Sequence, residues 1–197
     1  MGRILPTLLL VLSGVIAALA FPAPGFWPLC LVGLVPLFML LDLDKLASPA
    51  LAGLAWGAGF FGCLLRWLYR FFHQYGQMDP VSSLALLSVL VAYLALYPAL
   101  FSVVAFRLRR IDSGAAPILV ACAWVALEWL RGHALSGFPW GAAGYALTGF
   151  LPAIQIAAAT GIYGVSFLVV LANLLLADWA LRWSRNRRFF RAADAWT

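Results

Sequence analysis

Apolar runs long enough to cross a lipid bilayer, joined by short polar or proline-rich connections, take up most of this chain. A helix needs about 20 apolar residues to span the hydrocarbon layer. Inside that layer only helices and closed barrels satisfy their own backbone hydrogen bonds. The chain has 65% hydrophobic and 10% charged residues, whereas soluble domains carry about 25% charged residues. A soluble domain is therefore excluded. The expected fold is all-α, a polytopic transmembrane helical bundle.

Six spans are expected: Ile4–Ala20, Trp27–Leu41, Pro49–Phe72, Val81–Phe106, Ala116–Leu130 and Pro152–Leu181. Residues 1–181 then form the membrane domain and 182–197 a basic tail. The first run also fits a signal peptide, with Arg3 before it and Ala18-Leu19-Ala20 as a cleavage site. We read it as an uncleaved span, because Pro22, Pro24 and Pro28 form a tight connection into the second. Gly53, Gly57, Gly59 and Gly62 give the third span a small-residue face for a close neighbour. Pro98 is expected to bend the fourth. Asn173, in the sixth, is expected to hydrogen-bond a neighbouring helix.

The net charge of +6 does not point to nucleic acid, since the arginines cluster beside apolar spans. That is the pattern of topology signals and lipid contact. With both termini cytoplasmic, the inner side carries Arg3, Lys45, Arg107, Arg109, Arg110, Arg182, Arg185, Arg187, Arg188 and Arg191. The outer side carries Arg66, Arg70 and Arg131, so ten basic residues face three and the bias sets the orientation. The outer face then gathers Phe21–Phe26, Arg66–Pro80 and Glu128–Pro152.

Two of those stretches hold the concentrated polar chemistry. Glu128 and Arg131 lie at i, i+3 near the end of an apolar run, followed by the turn Gly137–Trp140 and then Tyr145. Two readings stand for the pair: a functional site, because charge is costly there, or a snorkelling Arg131 neutralised by Glu128. Arg66 and Arg70, at i, i+4, place like charges on one face, which favours an anion or lipid phosphate. An aromatic belt with snorkelling arginines is the competing reading. Metal and cofactor chemistry are not expected: His73 and His133 have no paired spacing. Cys30, Cys63 and Cys122 lie in apolar runs, where thiols are inert. No catalytic residue is assigned.

FPAPGFWPL, RWLYRFFHQYGQM with Pro80 soon after, EWLRGHALSGFPWGAAGY and GIYGVSFLVVLANLLLA follow one another in an order that resembles the membrane part of apolipoprotein N-acyltransferase. The resemblance covers nearly the whole chain. It implies a bacterial inner-membrane protein that works on a phospholipid acyl donor and a diacylglyceryl lipoprotein in the last step of lipoprotein maturation. In that family the acyl group passes through a cysteine thioester of a Glu-Lys-Cys triad, in a nitrilase-like domain outside the membrane. The sequence reaches Thr197 without residues matching that triad. The resemblance therefore implies a fragment, or one subunit of a split enzyme whose nitrilase-like subunit is separate. Trp140, Phe138 and Pro139 would form the rim of a lateral lipid portal, with Tyr145 beside it. Glu128 and Arg131 would hold the rim, and Arg66, Arg70 and His73 would meet headgroups. The alternative is a non-enzymatic lipid-binding or scaffolding protein derived from that fold. A transporter ranks last, because the polar features sit at one interface rather than mid-membrane.

Overall fold

A computed structural model describes residues 4–22, 24–43 and 48–194, with side chains as far as 184. Arg3 and Lys45 of the charge count lie outside the described residues, as do the side chains of Arg185, Arg187, Arg188 and Arg191. Among the described residues the regular elements are all helical: α1 (Ile4–Ala18), α2 (Val35–Asp42), α3 (Pro49–Leu64), α4 (Trp67–Arg70), α5 (Pro80–Leu108), α6 (Ala116–His133), α7 (Leu151–Ile154) and α8 (Ala157–Asp194). Three are long and apolar enough to cross a membrane: α5, α6 and α8 as far as Ser184. A fourth crossing is reached if α3 and Trp67–Tyr75, bent by 51°, count as one broken span. Ile4–Ala18 and Trp27–Asp42 are shorter apolar segments.

Three of the expected spans are interrupted, each for a local reason. The run Pro49–Phe72 breaks after Leu64. Arg66 and Arg70 follow, and the bend leaves both exposed instead of carrying two cations along the span axis. The run Trp27–Leu41 is a 3-10 turn, Trp27–Leu31, followed by α2. Pro28 and Pro36 stand at the second positions of these two pieces, in the first turn, where a missing N–H costs nothing, whereas mid-helix it would remove a bond from the ladder. The run Pro152–Leu181 is divided into α7 and α8, and Gly161 inside α8 has φ 64°. The fourth span is different, because α5 continues through Pro98 as one element. Its first turn is capped by Asp79, which accepts the Val81 and Ser82 N–H groups at 3.0 and 3.1 Å. Hydrogen bonds from Ser82 and Val81 hold this exposed carboxyl below its ordinary pKa.

The bundle is built on α3, which makes its widest contacts with α5 and α1. Gly53 and Gly57 face Pro98 and Ala95 of α5, and Gly59 faces Val11 of α1. Gly14 of α1 lies against the backbone at Trp56 and Phe60. The expected small-residue face is present, except that Gly62 meets nothing within 4 Å. The close approach buries Trp56, whose indole N–H donates to the Gly33 carbonyl at 2.8 Å. Asn173, fully buried on α8, bonds its neighbours as expected. It accepts the Leu34 N–H at 2.8 Å and donates to the Cys30 carbonyl at 2.7 Å. At the end of the bundle away from Trp140, Arg109 pairs with Asp42 and, at 2.7 Å, with Asp178, joining α2, α5 and α8.

Gly53→Ala pushes a methyl group into the α5 backbone and is expected to lower stability by about 1–3 kcal/mol, the range for overpacking. Gly62→Ala meets open space and is expected to be neutral or to gain up to about 1 kcal/mol of helix propensity. Thermal unfolding of the two variants in one detergent checks this. Equal effects would remove the glycine seam as the reason for the packing.

Candidate functional site

After His133 the chain must leave α6 and reverse. Leu135, Ser136 and Gly137 all take positive φ, at 50°, 70° and 83°, and the Phe138 N–H returns to the Arg131 carbonyl at 2.8 Å. Gly137, at ψ 138°, occupies a region reserved for glycine, and any Cβ there would collide with the Gly132 carbonyl. Gly141, with φ 81°, lets the next turn sit directly on Leu64 and the Phe60 and Phe61 rings.

Glu128 and Arg131 hold this reversal. Both are buried, at 5% and 3% exposure, so the snorkelling reading of Arg131 does not survive. Among the described residues they make no direct ion-pair contact, the contacts found being those of Arg109, and the two interact only through space. Each grips backbone instead. Glu128 Oε1 accepts the Trp124 indole N–H and the Ala143 N–H, both at 2.7 Å. Arg131 donates to the Trp140 carbonyl and lies over the Phe61 ring, 5.3 Å from its centroid. The acid takes a backbone donor and the base a backbone acceptor on either side of Gly141–Ala142. Ser166 of α8 accepts the Gly144 N–H at 2.9 Å and fixes the far side.

The clamped turn forms one wall of a cavity of about 410 Å³. Trp140, Gly141 and Tyr145 stand on that wall. Leu64, Cys63, Arg66 and Trp67 come from the α3–α4 elbow, and Ala18, Phe21 and Pro22 from the end of α1 and its connection. The three outer connections expected to share a face thus converge. Trp67 and Trp140 are 5.3 Å apart between ring centroids, and Phe138 stands 5.6 Å from Trp140. Farther round, Trp27 stacks on Phe150 at 4.6 Å.

The predicted residues divide accordingly. Arg66, Trp140 and Tyr145 line the cavity, while Phe138 packs beside Trp140, Pro139 lies exposed in the turn, and Glu128 and Arg131 stand behind it. Arg70 and His73 are exposed and do not line it; His73 Nδ1 instead pairs with the Met78 carbonyl at 2.8 Å. Sequence reasoning places Phe21 and Trp67 only within two of the outer connections and gives Leu64 and Cys63 no part in the site. Helical spacing of Leu64 and Trp67 beside Arg66 was the available signal. The cavity pairs an apolar interior with one cation and three amphipathic rings, a lining that suits an acyl chain carrying an anionic head. Among the described residues no group of three His, Cys, Asp or Glu side chains is arranged to hold a metal.

Residues 13–175 match the apolipoprotein N-acyltransferase N-terminal domain. The chain belongs to that family. It is 40% identical to the apolipoprotein N-acyltransferase of Geobacter metallireducens, over 86% of this chain and 32% of the relative. With the Nitrosomonas europaea enzyme it shares 37% identity over 90% of this chain and 35% of the relative. With that of Methylococcus capsulatus it shares 38%, over 92% and 36%. The chain spans about a third of the length of these apolipoprotein N-acyltransferases.

Glu128→Ala strands two N–H groups and leaves the buried Arg131 without its acid. It is expected to cost about 1–3 kcal/mol for each stranded N–H group and to raise protease cleavage within 134–142. Glu128→Gln keeps the acceptor oxygen and is expected to lose much less. Thermal unfolding and limited proteolysis of both variants check this.

Proposed function

We propose that this chain is the membrane part of an enzyme that transfers an acyl chain from a phospholipid to the N-terminal amine of a diacylglyceryl lipoprotein. It acts with a nitrilase-like catalytic domain, either elsewhere in the same protein or in a separate subunit. The cavity between Trp67 and Trp140 is the observation that carries this reading. It lies where three connections meet at one end of an apolar bundle, and a lipid entering from the bilayer would reach it sideways. Trp140 with Phe138 and Pro139 forms the rim, Tyr145 borders it, and the Glu128–Arg131 clamp keeps the rim in place. Arg66 offers a cation to a headgroup at the mouth, with Arg70 and His73 farther out along the same surface.

The same reading places residues 1–181 in the bacterial inner membrane with six crossings and both termini cytoplasmic. Six results when the bent α3–α4 pair and the two short apolar segments are each added as crossings to the three long helices. The rim then faces the outer side, and the basic tail of residues 182–197 meets the anionic inner leaflet.

Trp140→Ala, combined with the nitrilase-like domain in reconstituted membranes, is expected to reduce acyl transfer far more than it reduces the amount of folded protein. Parallel losses would assign Trp140 to folding alone. Lipid that co-purifies with the unaltered chain, without an acyl thioester ever forming on the added domain, would favour a lipid-binding scaffold instead.

A further inference from the structure

At the end of the bundle opposite the rim, the helix ends that Arg109 ties together leave a cleft of about 750 Å³. α6 runs from this cleft at Ala116 to the rim at His133, so roughly 25 Å separates the two. One wall is a single face of α8, where Leu175, Asp178, Trp179 and Arg182 follow at i, i+3, i+4 and i+7. Another is the end of α5, with Phe106, Arg109 and Arg110 at i, i+3 and i+4. Two guanidinium groups are fixed on these walls. That of Arg110 lies 4.0 Å from the centroid of the Phe106 ring, and that of Arg109 bridges Asp42 and Asp178. Asp112, in the turn between α5 and α6, is the third acid of the lining.

Three arginines and three aspartates sum to zero, so the cleft as a whole offers a bare anion no net attraction. Within it the signs are unevenly placed. The Arg109 guanidinium is shared by two carboxylates, an excess of one negative charge, while Arg110 and Arg182 bring two further cations. The polar groups stand beside apolar surface: Leu175 and Trp179 are 53% and 62% exposed, and exposed Leu168 lies two turns from Leu175 on the same face. A matching ligand carries both signs and an apolar chain. We propose that the cleft holds the headgroup of a phospholipid bearing a phosphate and a primary ammonium, in the leaflet opposite the rim. Arg110 and Arg182 take the phosphate, which guanidinium groups match with paired donors. Asp42 and Asp178 take the ammonium, and an acyl chain follows Leu175 and Leu168. Basic pockets between membrane helices are a recurrent form of headgroup site. This lipid is not the acyl donor, and the inference does not depend on acyl transfer. It bridges α2, α5 and α8 where their ends would otherwise stand apart.

Photocross-linking of the full chain in detergent tests the site, with a phosphoethanolamine lipid that carries a diazirine on its acyl chain next to the glycerol. The expected result is adducts at Leu175 and Trp179. Unlabelled phosphoethanolamine lipid should suppress them several-fold more effectively than a phosphoglycerol lipid, and inorganic phosphate should not suppress them. Arg110→Gln combined with Arg182→Gln should lower their yield several-fold. Val89, 67% exposed on another part of α5, serves as the reference for lipid lying loosely on the surface, and its yield should not change. No adduct at Leu175 or Trp179, a yield unaltered in the double variant, or equal suppression by the phosphoglycerol lipid or by phosphate overturns the proposal. A fall shared equally by Val89 also overturns it, since the two arginines would then serve the fold. Adducts at Trp140 report on the acyl-donor cavity separately.

Discussion

The structure depends on how closely the backbone of α3 approaches α1 on one side and α5 on the other. In lipid, helices gain little from hiding apolar side chains, because the tails around them are equally apolar; contact must come from packing and from removing bulk. Gly14, Gly53, Gly57 and Gly59 remove it. Once the three helices touch, Trp56, Phe60 and Phe61 have nowhere to go but toward α6, and they form the aromatic shelf on which Arg131 rests. The site therefore stands on the seam: any widening between α3 and α5 would move the shelf and the Leu64 support of Gly141 with it.

Charge in this region serves the backbone. A loop that folds back against a membrane helix brings peptide N–H and C=O groups to a depth where water is scarce, and each must find a partner. Glu128 and Arg131 meet that need for Ala143 and Trp140. A neutral side chain could supply one such bond. A carboxyl oxygen that accepts two bonds and a guanidinium with several donors supply both needs from one turn of α6. The outcome is an exposed Trp140 side chain on a main chain whose carbonyl is held by Arg131.

Much of this was readable from residues alone, and the gaps have definite causes. The apolar runs marked the helices, and the glycines of Pro49–Leu64 marked the packing face. Its partner at Gly14 was not singled out because a single glycine in a run carries no period. The breaks at Leu65 and Gly161 were missed because hydropathy stays high across them. What happens there is set by where the Arg66 cation can reach water and by the positive φ of Gly161, neither of which hydropathy encodes. The acid–base spacing of Glu128 and Arg131 suggested mutual pairing, since i, i+3 side chains share a face. It could not reveal that a loop nine residues beyond Arg131 and fifteen beyond Glu128 would take hydrogen bonds from both.

Asn173 carries a consequence for biogenesis. It closes the gap left where Trp27–Leu31 ends and α2 begins, taking the Leu34 N–H and giving to the Cys30 carbonyl across 139 and 143 positions of sequence. Until α8 is made, those two peptide groups have no such partner, and the segment Trp27–Asp42 lacks its anchor at depth. A helix made more than a hundred residues later thus supplies the partner for the segment that begins at Trp27.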